Sequence, residues 1–331
     1  MTPRTLKLAA LVAATLIPLA ACGDSGSSGT KDNAGSTPGS GTTCAGVAGD
    51  QLVGLTDDKK LQTVDNVIPA VNAAKAGPGL IEALDKVSAA LSLDDLLALN
   101  KSTDLERKTP ANVAKDFVAS KSLTTGLTKG SGKVVVGAAN FSENQTLANI
   151  YADVLNAAGF SASVQTVGNR ELYEPALEKG SLTVVPEYVG TLTEFLNKKQ
   201  NGPTAAPKAS GDLDATVTAL TELGTKVGLK FGKPSDAADQ NAFAVTKAFA
   251  DKYSVKSLSD LAAKCGGGVS LGGPPECPQR PFCQPGLTSK YGLKFTSFKS
   301  LDAGGPLSKT ALKQGQVALS LVFSSDAALA G

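Results

Sequence analysis

The chain has no histidine, no tryptophan and a single methionine. Without imidazole, the commonest general acid–base group is missing, and most zinc sites lose a ligand they depend on. No activated nucleophile stands out. The fragment Gly23-Asp24-Ser25-Gly26 looks like a serine-protease motif, but nothing is present to activate its hydroxyl. An excess of charge is also lacking. Lys and Arg number 32 against 30 Asp and Glu, a formal net charge of +2, so there is no basic footprint for nucleic acid. These absences point away from an enzyme, and no cofactor or metal is implied. Five tyrosines and 11 phenylalanines remain, which gives each aromatic residue weight.

What is present begins with an export signal. Arg4 and Lys7 precede an apolar run from Leu8 to Leu19, and Leu19-Ala20-Ala21-Cys22 closes it. This is a signal-peptide layout with cysteine at the cleavage point, and it resembles a bacterial lipobox. Residues 1–22 are therefore read as a lipoprotein signal peptide, with Cys22 acylated. An ordinary signal peptide or short anchor is the plainer alternative, but the span is short for a bilayer. Residues 23–43 are rich in Gly, Ser and Thr, the composition of a disordered tether. Four cysteines are left after Cys22: Cys44, Cys265, Cys277 and Cys283. An even number outside the cytoplasm suggests two disulfides, and four cysteines can pair in three ways.

The most organised stretch runs from Lys133 to Thr191. Val134–Val136 reads as a strand ending at Gly137. A helix follows, opened by a capping box of Ser142 and Gln145, with Leu147, Ile150, Tyr151, Val154 and Leu155 on one face. Phe160 to Val167 alternates as a strand, Arg170 to Lys179 is a helix, and Leu182–Tyr188 is a buried strand. Such alternation predicts an α/β fold with a parallel sheet and right-handed crossovers. Ligands gather at the carboxyl ends of those strands, here Asn140–Phe141, Asn169–Arg170 and Pro186–Thr191. Asn140, Arg170 and Tyr173 are site candidates on that ground alone.

Before this block, Gln51–Leu55 and Asp65–Val71 read as strands. Three helices follow them, the second opened by Ser92 with Asp95 and the third by Thr109–Pro110. After a linker at Asn201–Gly211, Asn241–Thr246, Val269–Gly272, Lys294–Phe298 and Val317–Ser324 read as strands of a second alternating set.

The segments GAANFSENQTL, ALEKGSLTVVPEYVGTL, GGPPECPQRPFCQPGLTSKYGLKF and LVFSSDAAL resemble successive blocks of one family. It is the osmoprotectant-binding proteins of ABC importers, which take glycine betaine, choline, carnitine or proline betaine. The resemblance implies a two-lobe periplasmic-binding-protein-like fold of type II, with two strands crossing the hinge. QLVGLTDDKKLQTVDNVIPAVN and its helices also resemble this family, but there they come last. The chain thus looks circularly permuted, joined through Thr128–Gly132, with its final stub continuing in space into Gln51–Leu55. On this reading residues 67–241 form lobe 1. Residues 44–66 and 246–331 form lobe 2, with hinge strands near 65–71 and 241–246. The expected disulfides are Cys277–Cys283 and Cys44–Cys265, the second tethering the displaced segment to its own lobe.

A quaternary ammonium has no N–H to donate, so a protein holds it against aromatic faces. Matched position by position, the resemblance puts Tyr188, Phe243 and Phe323 in such a cage, the last two commonly tyrosine in relatives. Thr191 matches a polar contact and Arg280 a carboxylate-binding arginine. Ala139 stands where some relatives carry lysine. Core packing for the aromatics, and a solvated loop charge for Arg280, are the plain alternatives. The implied function is a monomeric, lipid-anchored receptor on the outer face of the cytoplasmic membrane, handing a quaternary amine to an ABC permease. The same scaffold serving an amino acid or another zwitterion, or acting as a sensor, is the competing expectation.

Overall fold

A computed structural model describes residues 41–329. The signal segment, Cys22 and most of the expected tether lie outside the described residues. In chain order the strands and helices begin with β1 (Thr43–Cys44), β2 (Leu52–Leu55), β3 (Val67–Asn72), α1 (Pro78–Ala90), α2 (Leu93–Asn100) and α3 (Pro110–Ser120). Next come β4 (Lys133–Ala139), α4 (Ser142–Ala157), β5 (Ser161–Gly168), α5 (Arg170–Glu178) and β6 (Val184–Tyr188). They lead to α6 (Val189–Asn201), α7 (Leu213–Lys226) and β7 (Leu229–Phe231). The remainder is β8 (Asn241–Thr246), α8 (Lys247–Tyr253), α9 (Leu258–Lys264), β9 (Gly268–Gly273), the turn α10 (Gln284–Gly286), β10 (Phe295–Ser300), α11 (Pro306–Lys313) and β11 (Leu319–Phe323).

Two sheets carry the structure. The first runs β5-β4-β6-β3-β7. Its β4 is parallel to β5 and β6, as βαβ crossovers dictate, while β3 runs antiparallel between β6 and β7. Val184–Tyr188 is buried at every position, the mark of a strand covered on both faces. One face packs Leu84, Val87, Leu96, Phe117, Ile150 and Leu155; the other packs Leu177, Leu192, Leu196, Leu220 and Leu223. Helices α1–α3 therefore cover α4 and the sheet rather than forming a domain apart.

The second sheet runs β1-β9-β11-β8-β2, with β10 also on β9. Both β11 and β2 pair antiparallel with β8, on its opposite sides. Its core gathers Phe243, Phe249, Leu261, Leu271, Leu287 and Leu319. Cys44 is bonded to Cys265, which ties β1 to the end of α9, and Cys277 to Cys283, which closes a loop after β9. The body on each sheet is called a lobe below, the first sheet giving lobe 1.

Ser92 forms a capping box with Asp95, Ser257 forms one with Asp260, and Thr109 caps α3. The box expected from Ser142 and Gln145 is not formed. Phe141 occupies the cap position with no side-chain bond, and the Ser142 hydroxyl donates instead to Asp104 Oδ1 (2.6 Å). Asn144 secures this turn: its Oδ1 accepts from Ala139 N–H (2.8 Å) and its Nδ2 donates to the Pro186 carbonyl (2.9 Å). The tether is also shorter than expected. Thr43 is already in β1, opposite Gly268.

Two segments run side by side between the lobes. The chain entering β3 pairs with the chain leaving β7 through an antiparallel bridge, Asn66 to Ala238, and the Asp239 N–H donates to the Asp65 carbonyl (3.0 Å). The crossing lies just outside β3 and β8, which pair within their own sheets. Gly190 sits against this crossing. A Cβ there would lie 2.2 Å from the Val64 carbonyl oxygen, so the backbone of lobe 1 approaches the crossing only because that residue is glycine.

Candidate functional site

The carboxyl ends of β4, β5 and β6 open onto a cavity of about 370 Å³. Lobe 1 contributes Asn140, Phe141, Arg170, Tyr173, Tyr188 and Thr191 to its lining. Lobe 2 contributes Arg280, Phe282 and Phe323, and the crossing segments Asp65 and Asp239. Seven of the expected site residues thus border one cleft: Tyr188, Thr191, Phe323, Arg280, Asn140, Arg170 and Tyr173.

Phe243 does not. It is 2% exposed and packs with Leu55 and Leu321 inside lobe 2, so the expected place in a cage is corrected. In β8 it shares a face with Asn241, two residues earlier. Asn241 reaches the cleft wall, while Phe243 lies one step deeper. Phe141 borders the cavity instead. Its ring centroid is 5.4 Å from that of Phe323 and 6.3 Å from that of Tyr188. Three rings from both lobes therefore meet at one end of the cavity.

Beside them lies a buried ion pair. Arg170 Nη2 donates to Glu187 Oε2 (2.7 Å) and Thr191 Oγ1 (2.9 Å), and its Nε donates to Glu187 Oε1 (2.9 Å). The Tyr173 hydroxyl donates to the same Oε1 (2.8 Å). Burial opposes the charge on Arg170, but the Glu187 carboxylate more than offsets it and holds the guanidinium fully protonated. Burial pushes the Tyr173 hydroxyl up. Asp65 Oδ1 accepts from the backbone N–H of Gly190 and of Thr191 (2.9 Å each). Burial nevertheless raises that carboxyl to about 7.

Behind the rings is a second network. The Tyr188 hydroxyl donates to Glu143 Oε1 (2.6 Å), and Asn100 Nδ2 donates to Glu143 Oε2 (2.6 Å). Ser325 Oγ lies 2.8 Å from Glu143 Oε2 and 2.7 Å from Asp239 Oδ1. These are three O···O contacts served by two hydroxyl hydrogens, so one carboxyl supplies the third. Glu143 already accepts from two donors, and Asp239 otherwise accepts only from the Ser325 N–H (3.1 Å). Burial raises Glu143 above its ordinary range as well, and Asp239 is the less satisfied acceptor of the two. Burial, then the charge of Glu143, holds that carboxyl well above its ordinary range.

Arg280 is engaged across the cleft. Its Nη2 donates to Glu171 Oε2 on lobe 1 (2.9 Å) and also pairs with Glu276 (3.2 Å). Burial pulls the Glu171 carboxyl upward, but Arg280 outweighs this and holds it below the usual range.

The family model that matches this chain is OpuAC, described as the substrate binding domain of the ABC-type glycine betaine transport system. It meets residues 42–120 and 132–331. The chain belongs to this family. Its members are substrate-binding transport proteins rather than enzymes. A curated glycine-betaine-binding protein of Pseudomonas aeruginosa is 30% identical over 204 residues, 59% of this chain. That match spans 62% of the relative's own length. Among solved structures, a glycine betaine/carnitine/choline ABC transporter aligns over 60% of this chain and 71% of its own, at 21% identity and a TM-score of 0.38. Haemophilus influenzae OppA, in complex with the peptide RPPGFSPFR, aligns over 56% and 44% at 13% identity, TM-score 0.27.

Within this member of the family, sequence reasoning missed Phe141, Glu143, Glu171 and Asp239. Phe141 had a signal, since it stands at a named strand end. The acids had none, because a buried carboxylate and a solvated one look alike in a sequence. Chemically, the cleft offers an aromatic corner for an apolar cation, carboxylates to balance its charge, and guanidinium groups already partnered by the chain's own acids.

Proposed function

We propose that this chain is an extracytoplasmic receptor that captures a quaternary amine, such as choline or glycine betaine, and delivers it to an ABC permease. The observation that carries the reading is the meeting of Phe141, Tyr188 and Phe323 in the cleft. Aromatic faces attract a desolvated cation by ~0.5–2 kcal/mol each, and here they come from both lobes, so contact with all three requires the closed form. Closure is then what a permease reads. Arg280 is the group for a ligand carboxylate, a bidentate partner once freed from Glu171. The lipobox ending at Cys22 supports anchoring on the outer face of the cytoplasmic membrane, where two or more acyl chains hold stably. Cys22→Ser should release the protein to the medium; unchanged membrane partition refutes the anchor.

A second reading, the same scaffold for an amino acid or other small zwitterion, is favoured by the withdrawal of Phe243 into the core. A thermal-shift screen followed by calorimetry on choline, glycine betaine, carnitine, ectoine and amino acids separates the two. Quaternary amines should bind the wild type, and Phe323→Ala should weaken them about tenfold. Binding of amino acids alone, unaffected by Phe323→Ala, would favour the second.

The order of elements supports a further part of the proposal, that the chain is a circular permutant. The family match breaks at residues 121–131, around the expected joint at Thr128–Gly132. Leu329, near the end of the described residues, packs in one cluster with Leu52 of β2.

A further inference from the structure

Arg280, the group proposed above for a ligand carboxylate, already holds a carboxylate of the chain itself. Glu171, from the start of α5, presents both oxygens to Arg280: Oε2 at 2.9 Å and Oε1 at 3.2 Å from Nη2, with Nε 3.3 Å from Oε1. Glu276 adds a second acid to the same nitrogen at 3.2 Å. The Nε–Nη2 edge of Arg280 is thus engaged by two acids. Arg170 is likewise saturated by Glu187, and Lys199 by Glu174 (2.7 Å) and Glu178 (2.9 Å). Of the cations bordering the cavity this leaves Lys198, which also borders the neighbouring open groove. The acids are not so matched. Asp65 and Asp239 face the cavity with hydrogen bonds but no ion-pair partner among the described residues.

We propose that Glu171 is a specificity-determining residue: standing in for a ligand carboxylate on Arg280, it makes the cleft select quaternary amines without a carboxylate, the choline class, over betaines. This rests on the reading that the cleft holds a quaternary amine. A betaine reaches Arg280 only by displacing Glu171, which then loses a charge-assisted bidentate partner. Otherwise its carboxylate lies beside Glu171 and Glu276, with Lys198 the one bordering cation among the described residues left to pair with it, which is costly in a desolvated site. Choline asks nothing of Arg280. Its alcohol is neutral and needs no cation from the wall. The Glu171–Arg280 pair also joins lobe 1 to lobe 2, so choline closes over an intact bridge, whereas a betaine breaks it. Specificity here comes from an element that opposes the wrong ligand.

The test is calorimetry with choline and glycine betaine on the wild type and on Glu171→Gln. The side chain of Glu171 is 40% exposed, so the variant keeps its fold. The wild type should bind choline about tenfold or more tighter than glycine betaine. Glu171→Gln should shift the ratio of the two affinities about tenfold or more toward glycine betaine. A wild type that prefers glycine betaine, or a preference that Glu171→Gln leaves unchanged, overturns the proposal alone. Failure of both ligands to bind the wild type removes the quaternary-amine reading itself, and this proposal with it.

Discussion

Tyr188 serves two surroundings at once. Its ring borders the cavity, and its hydroxyl is committed to Glu143 behind the wall. Tyr188→Ala should therefore weaken a quaternary amine by ~1–2 kcal/mol, about tenfold or somewhat more in Kd. Tyr188→Phe keeps the face and should instead cost stability, about 1 kcal/mol, because Glu143 loses a donor. Calorimetry and denaturant unfolding on the pair of variants separate these roles; equal affinity loss in both would refute the division. Asp239 gives a pH signature. Its folded carboxyl is held above the unfolded value by burial and then by Glu143. An acid with a raised folded value adds stability that is complete below the unfolded value and is lost as pH rises through the folded one. Asparagine keeps a donor toward Ser325 and does not titrate. The melting temperature of Asp239→Asn should thus gain on the wild type as pH rises from about 4 toward neutrality, and a constant difference would show that Asp239 carries no proton. Residue by residue, Tyr188 and Thr191 were legible because the PEYVGT block marks a strand end. Phe243 was misplaced because a period of two reveals which face a residue takes but not how far along the strand the cleft begins.

At the scale of elements, the parallel core was legible in the alternation of β-branched runs and amphipathic helices between residues 133 and 188. The antiparallel partners β3 and β7 were less so, since a short buried run looks the same in either direction. Cys265 and Cys44 close a loop 221 residues apart in sequence, and Cys277 and Cys283 one of 6. In the chain-entropy model the long closure contributes about 5 kcal/mol and the short one about 2.4 kcal/mol. The two should fail differently. Cys44→Ser with Cys265→Ser should lower unfolding stability by several kcal/mol, because β1 loses its covalent hold on the second sheet. Cys277→Ser with Cys283→Ser should lower it by about half as much and loosen the loop that carries Arg280, so that affinity for a carboxylate ligand changes as well. Denaturant midpoints and calorimetry on both double variants decide this; stability losses in the reverse order would refute it.

For the whole molecule, the decisive feature is that sequence order and spatial order part company. Residues 43–55 belong to the second sheet, residues 67–231 to the first, and residues 241–323 return to the second. Composition is indifferent to connectivity, so it carries no sign of such an arrangement. If the chain is a permutant, stability lives in the two cores and the crossing, and the joint near Thr128–Gly132 is replaceable. The alternative connection has to cross the second sheet, from Leu329 beside β2 at one edge to Gly41 beside β1 at the other. A Cβ on Gly54 would lie 3.5 Å from Leu329 Cδ1, so the end of the described chain packs onto β2. A rearranged chain can be built that begins at Lys133, runs to Leu329, passes through a flexible Gly/Ser linker spanning that sheet into Gly41, and ends after Ser120. It removes one surface connection and adds another near chain ends, where such changes are tolerated. It should fold to the same two lobes, with far-UV circular dichroism matching the original and affinity for the same quaternary amine within about threefold, since the cleft residues keep their neighbours. Loss of cooperative unfolding, or a much weaker ligand with the fold intact, would show that the present order of elements does more than connect them.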